Sequence, residues 1–245
     1  MEKGIKAAEL EFLETTWREE VHGRGDIQFP QLEMVRADLE DLPELNLPAG
    51  YTLRAYQPGD EEVWGKLMTE AFTPLWNADR FRRFFIPHFG FKPERVIFIC
   101  WEGEPIGSAC AFQWPGIPRH QGYIHMVGVT RPHCGHRLGY WLATAGLHQF
   151  KQERFCSAML QTEDFRIPAI KHYLRLGFRP ELVQEDQREK WTRVLVRIGG
   201  EHLVEQMGIR DLAVMSRFNF WWRTTLLVKY MSWLNLKADM LGPKA

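Results

Sequence analysis

Neither sign of charge is in surplus in this chain: 31 lysines and arginines offset 31 aspartates and glutamates over 245 residues. Without a global basic field nothing gathers nucleic acid at long range, so no nucleic-acid partner is expected. Cysteine is sparse. Cys100, Cys110, Cys134 and Cys156 form no CxxC pair and no short-spaced framework, which argues against a disulfide scaffold and against zinc. No metal is expected, and a reducing compartment fits. Cys100, Cys110 and Cys156 lie in apolar runs that read as buried strands. A leading apolar stretch is lacking too, because Met1–Lys6 runs into an acidic amphipathic segment; no secretory signal is expected, and a cytoplasmic location follows. Internal repeats are not apparent.

What is present is ample apolar material, 45% of residues, for one sizeable domain with appendages. Leu10, Leu13, Trp17 and Val21 fall at helical spacing between Lys3 and His22. Residues 26–50 carry prolines and an acidic cluster, and read as an extended connection with little regular structure. Strands are predicted at 51–56, 95–101, 106–114, 121–130, 155–161 and 191–198, with helices at 59–72, 79–85, 135–151 and from Pro168 to Gly177. This order predicts an α/β fold with a mixed, mainly antiparallel central sheet, parallel around its long helix. The domain scheme is 1–50 for an N-terminal helix and connection, 51–198 for the α/β domain, and 199–245 for an aromatic-rich helical extension.

The stretch Val127–Gly139 organises the chain. A β-branched run meets Pro132, passes Gly135, and enters a segment with Leu138, Trp141, Leu142 and Ala145 at helical spacing. That is strand, turn, helix. The first amides of such a helix have no partner within it and carry the positive end of its dipole, so they suit a phosphate. Gly135, Gly139 and Gly146 fall in the predicted helix, where each costs about 1 kcal/mol relative to Ala. Something must offset that cost.

These residues resemble the acyl-CoA-binding motif of the GNAT (GCN5-related N-acetyltransferase) superfamily, written Gln/Arg-x-x-Gly-x-Gly/Ala. Cys134 stands where Gln or Arg is usual, and Arg137 where the central Gly is usual. A second stretch, Ala169-Ile170-Lys171-His172-Tyr173-Leu174-Arg175-Leu176-Gly177-Phe178, resembles the family's A-I-x-x-Y-x-x-x-G-F, about thirty residues further on. The resemblance spans roughly Tyr51 to Ile198. It implies a GNAT-like fold and transfer of an acetyl group from acetyl-CoA to an amine, on a small molecule or a protein, by direct attack in a ternary complex. It also implies that the backbone of Val127, Gly128 and Val129 pairs with the pantetheine arm and supplies an oxyanion donor. The turn of Cys134, Gly135, His136, Arg137, Leu138 and Gly139 would hold the pyrophosphate, with Arg137 adding charge or crowding it.

Tyr173 stands at the family's tyrosine, a candidate acid for the leaving thiolate. For the base the choice falls on His125, placed by period two on the same face as Tyr123 and Val127. Glu102, Glu163 and Asp164 are reserves. Phe72, Trp76, Phe81, Phe84 and Phe85 line an acceptor pocket or simply pack. Cys134 beside a helix N-terminus, with His133 and His136 near in sequence, is a weak cysteine-nucleophile alternative.

Residues 217–237 are rich in tryptophan and free of acids, but Arg223 and Lys229 interrupt the run, which argues against a spanning helix. They suit contact with the domain, with a second copy in a homodimer, or with an anionic membrane surface. Two rival functions follow: a non-catalytic acyl-CoA-binding or scaffolding protein, and a membrane-surface acyltransferase.

Overall fold

A computed structural model describes residues 31–72, 76–88, 90–113, 117–182 and 187–206. The helix predicted at 3–22 and the aromatic stretch 217–237 lie outside them. Seven strands form one sheet: β1 (Leu32–Arg36), β2 (Tyr51–Ala55), β3 (Val96–Trp101), β4 (Glu104–Phe112), β5 (Gln121–Val129), β6 (Ser157–Thr162) and β7 (Arg179–Glu181). Their spatial order is β2-β3-β4-β5-β6-β1-β7. Only β5 and β6 run parallel; every other neighbouring pair is antiparallel. The mixed, mainly antiparallel sheet flanked by helices is therefore as expected.

The helices are α1 (Asp60–Ala71), the short α2 (Ala78–Arg80), α3 (Leu138–Gln152), α4 (Ile167–Arg175), α5 (Gln187–Arg197) and α6 (Glu201–Gln206). α2 continues into a π-helical turn, Phe81–Phe85. Gly59, at φ +103°, caps α1, and Asp60, Glu61 and Glu62 place negative charge on its N-terminal dipole. Arg54 of β2 grips Asp60 through two bonds of 2.6 and 2.8 Å, tying α1 to the sheet. Glu102 and Gly103, both at positive φ (51° and 89°), make the two-residue β3–β4 hairpin.

Two cores sandwich the sheet. On one face Trp64, Leu67 and Met68 of α1 pack with Phe81, Phe85, Phe98, Phe112 and Met126. On the other, Ala143, Leu147 and Phe150 of α3 meet Ile170 and Tyr173 of α4, Trp191 and Leu195 of α5, and the strand residues Met34, Ile124 and Leu160. Two glycines let α3 approach the sheet. A Cβ on Gly146 would stand 2.6 Å from Ile124, and one on Gly122 2.5 Å from the Phe150 ring. Packing thus accounts for Gly146 inside a helix.

Several expectations are corrected. Residues 26–50 contain β1, which pairs with β6 from Leu32↔Thr162 to Arg36↔Ala158. Residues 191–198, expected as a strand, belong to α5 and its end, because Trp191, Val194 and Leu195 bury at i, i+3 and i+4. Gly135 precedes α3, which starts at Leu138. Cys156 is exposed, not buried, while Cys100 and Cys110 are buried as expected. Among the described residues no helix is long and apolar enough to cross a membrane.

Candidate functional site

The β5–β6 ladder stops at Ile124↔Leu160 although β5 runs on to Val129 and β6 to Thr162. A bulge makes the strands part. Met126 takes φ +52°, and the β4–β5 register slips between Ser108↔Gly128 and Cys110↔His125. The backbone edge of Val127–Val129 that faces β6 has therefore left the ladder. α1 seats beside it: a Cβ on Gly128 would be 2.8 Å from Ala71 and 3.2 Å from the Phe72 ring.

The bulge also overturns one expectation. Period two would place His125 on the same face as Val127; the extra residue puts His125 among the α1-side rings and Val127 against α3. Of Tyr123 and Val127, Tyr123 shares the face of His125.

After β5 the chain makes a 3₁₀ turn, Arg131–His133, then passes Cys134, Gly135 at φ +92° and Arg137 at φ +58° before entering α3. The first amide to bond within α3 is that of Tyr140, to the Arg137 carbonyl at 3.0 Å. The amides of Gly135–Gly139 stand ahead of it, outside the helix ladder. Arg137 is exposed. Its left-handed backbone explains why glycine suits that place. His136 and Cys134 are exposed, and Leu138 is buried. Gly139 differs from the packed glycines. A Cβ there would meet only His172 Nδ1 and Val127 Cγ1, both at 3.9 Å, an ordinary contact.

The turn is clasped from two sides. The Arg131 amide donates to Glu70 Oε1 of α1 at 2.7 Å, and the Tyr51 hydroxyl bonds His133 Nδ1 at 3.0 Å. The Cys134 thiol donates to the Thr130 carbonyl at 3.6 Å. With His133 Nδ1 engaged by Tyr51, the cysteine-nucleophile alternative gains no base from that nitrogen.

Tyr173 lies in α4 and is buried, its ring 6.0 Å from that of Phe178. Burial first, opposed by the Arg166 charge, pushes its hydroxyl up to about 12. His125 is ringed by Tyr123 at 5.2 Å, Phe85 at 6.1 Å and Trp76 at 6.4 Å between centroids. Burial, with a smaller contribution from His88, lowers its pKa to about 4. Of the aromatics expected to line a pocket, Phe81 and Phe85 are packed in the core, while Phe72, Trp76 and Phe84 are partly exposed. Glu102 sits in the β3–β4 hairpin.

One group escaped the sequence reading. Glu33 of β1, 2% exposed, accepts from Gln161 Nε2 at 3.2 Å, and Gln161 Oε1 accepts from the Tyr123 hydroxyl at 3.4 Å. Beside it Glu163 is held by Gln31 at 2.9 Å and by Arg166 at 2.6 Å, and the Arg166 guanidinium lies 4.5 Å over the Phe72 ring. Tyr123 feels the charges of Glu33 and Glu163 and the Tyr173 hydroxyl, and its pKa rises, chiefly by burial. The sequence offered little signal, since Leu32-Glu33-Met34 alternates over three residues only, inside a stretch read as a linker.

A parted sheet thus leads into a clasped, glycine-bearing turn between strand and helix on an α/β domain. Residues 62–178 match the acetyltransferase (GNAT) family. Among curated proteins it is 32% identical to a mycothiol acetyltransferase of Parafrankia sp. over 162 residues, which is 58% of this chain and 50% of that protein. It is 32% identical to the mycothiol acetyltransferase of Pseudarthrobacter chlorophenolicus over 151 residues, 56% of this chain and 45% of that protein. The chain spans about half the length of the curated relatives it matches. A solved GCN5-related N-acetyltransferase from Sphaerobacter thermophilus is similar at a TM-score of 0.47 and 22% identity, covering 72% of this chain and 55% of that one.

Proposed function

We propose that this chain is an N-acetyltransferase that takes acetyl-CoA as donor and an amine as acceptor, in a ternary complex. The observation that carries the reading is Gly139. It occupies the first turn of α3 at an energetic cost of about 1 kcal/mol relative to Ala, yet no protein atom needs the space beside it. A phosphate approaching the helix N-terminus does need it. The turn fits the group in a second way, since the amides of Gly135–Gly139 are left outside the helix ladder and Arg137 adds an exposed cation.

Acetyl-CoA, when bound, supplies an activated acyl group and a thiol leaving group. The chain's own residues hold and orient it. The free edge of Val127, Gly128 and Val129 offers main-chain partners to an extended arm and an amide donor for the charge that develops on the acyl oxygen. Cys134, Gly135, His136, Arg137, Leu138 and Gly139 cradle the diphosphate. Tyr173 keeps its proton at neutral pH. Against a thiol of pKa about 8.5, full transfer from a phenol near 12 runs uphill, so its role is to stabilise the leaving sulfur by hydrogen bonding. His125 is neutral at pH 7 and accepts a hydrogen bond or a proton from the amine, weakly for a base near 4. The names of the curated relatives make an acceptor of the mycothiol type the first to try.

The test is calorimetric titration of acetyl-CoA into the parent and into a Gly135→Glu, Gly139→Glu variant, followed by an acceptor screen. The expected result is binding by the parent, loss in the folded variant, and acetylation of an amine. No binding by the parent overturns the reading; binding with no acetylated product selects the non-catalytic acyl-CoA-binding alternative.

A further inference from the structure

The turn that presents the Gly135–Gly139 amides is costly to hold. It contains Gly135 at φ +92° and Arg137, a residue with a Cβ, at φ +58°, a region that L-residues avoid by about 1–2 kcal/mol. Backbone amides bind a phosphate well only when they are already aimed, because ordering them on binding subtracts from affinity. Something outside the turn must therefore fix it.

Tyr51, the first residue of β2, reaches the turn from outside the family-matched segment. Its ring sits 4.7 Å from Trp101, at the end of β3, and 5.8 Å from His133 in an edge-on contact. Trp101 in turn lies 6.0 Å from His133, and the His136 ring is 5.9 Å from Tyr51. Gly50, at φ +85°, is shaped to this arrangement: a Cβ there would stand 2.3 Å from the Trp101 ring. The Tyr51 hydroxyl closes the set through its 3.0 Å bond to His133 Nδ1.

We infer that Tyr51 is a positioning residue for the cofactor turn: through His133 it locks residues 131–137 in the conformation that aims the amides of Gly135–Gly139. The inference rests on the acetyl-CoA reading above. Tyr51 touches no reacting atom. A single hydrogen bond of this kind sets the expected effect of its loss at roughly three- to tenfold in CoA affinity.

The experiment titrates CoA calorimetrically into the full chain, into Tyr51→Phe, His133→Ala and the double variant. Amide hydrogen exchange across residues 131–139 and thermal midpoints are measured without CoA. The expected result is a roughly three- to tenfold weaker Kd in Tyr51→Phe, as large a loss in His133→Ala, and little further loss in the double variant, since both act through one bond. Exchange should quicken at the Gly135–Gly139 amides in both single variants. A lowered thermal midpoint with unchanged Kd and unchanged exchange at the turn would mean ordinary packing, and would overturn the inference. Additive losses in the double variant overturn it as well. A parent chain that does not bind CoA overturns the acetyl-CoA reading itself, whereas a parent that binds and a Tyr51→Phe variant that binds equally well overturns this inference alone.

Discussion

His125 and Val127, two residues apart on β5, lie on opposite faces of the sheet. Met126 at φ +52° is the cause. His125 keeps company with Trp76, Phe85 and Tyr123 on the α1 side, and Val127 with Leu138 and Leu142 on the α3 side. Beyond the same bulge the Val127–Val129 edge is out of the β6 ladder.

The burial of His125 sets the pH behaviour. Its pKa of about 4, and that of His88, also about 4, lie below the value of about 6.5 in an unfolded chain. The stability they contribute as neutral groups is complete above about pH 6.5 and is lost as pH falls from there through about 4. His125→Phe should flatten that part of a denaturant-midpoint against pH curve. In turnover, kcat/KM should show no inflection near 6.5, and an inflection there would remove His125 as described.

Gly139 and Gly122 should separate function from fold. Gly139→Ala is expected to raise the thermal stability of the free protein by up to about 1 kcal/mol while weakening CoA binding severalfold. Gly122→Ala drives a methyl into the Phe150 ring and should cost about 1–3 kcal/mol, with CoA affinity of the folded fraction unchanged. Thermal melts and calorimetry on the two variants decide the matter.

Arg95 and Glu153 form a two-bond pair at 2.8 and 2.7 Å, with Lys92 on the same carboxylate. Although burial opposes it, the Arg95 bond and its companions bring the Glu153 pKa down to about 2. A depressed carboxylate contributes stability that is present above about pH 4.5 and lost as pH falls towards 2. Glu153→Gln, which leaves buried Arg95 without its counter-charge, should cost about 3 kcal/mol at pH 7 and remove this acid limb from the unfolding curve.

Tyr173→Phe should lower kcat by about a hundredfold and leave the Kd of acetyl-CoA within a factor of two to three. Loss confined to KM would assign Tyr173 to packing beside Phe178.

Much of this was legible in the sequence. The turn from Val127 to Gly139 announced itself through glycines and a proline, and the AIKHYLRLGF stretch through its spacing. Strands β2 to β6 followed from alternation at 51–56, from the hairpin signal at Glu102–Pro105 and from apolar runs. Residues 191–198 misled because Trp, Thr, Val and Ile favour strands locally, while the burial of Trp191, Val194 and Leu195 follows the helical period that tertiary packing rewards. β1 escaped because five residues among prolines and acids carry little pattern by themselves; their partners, Ala158–Thr162, are distant in sequence. The bulge at Met126 has no signature in residue type, so the facing of His125 followed only from the backbone.

The strand order has a bearing on how the chain is made. β1 is synthesised early, yet its two neighbours in the sheet, β6 and β7, emerge only after more than a hundred further residues. Until then Leu32 and Met34 have no core to enter, and the far side of the sheet cannot close. Pairings so remote in sequence slow folding, so the last third of the sheet should form late on the ribosome. Glu33 enters the sheet only with it, so the polar chain through Gln161 to Tyr123 should be completed late, after the turn of residues 131–139 has been synthesised.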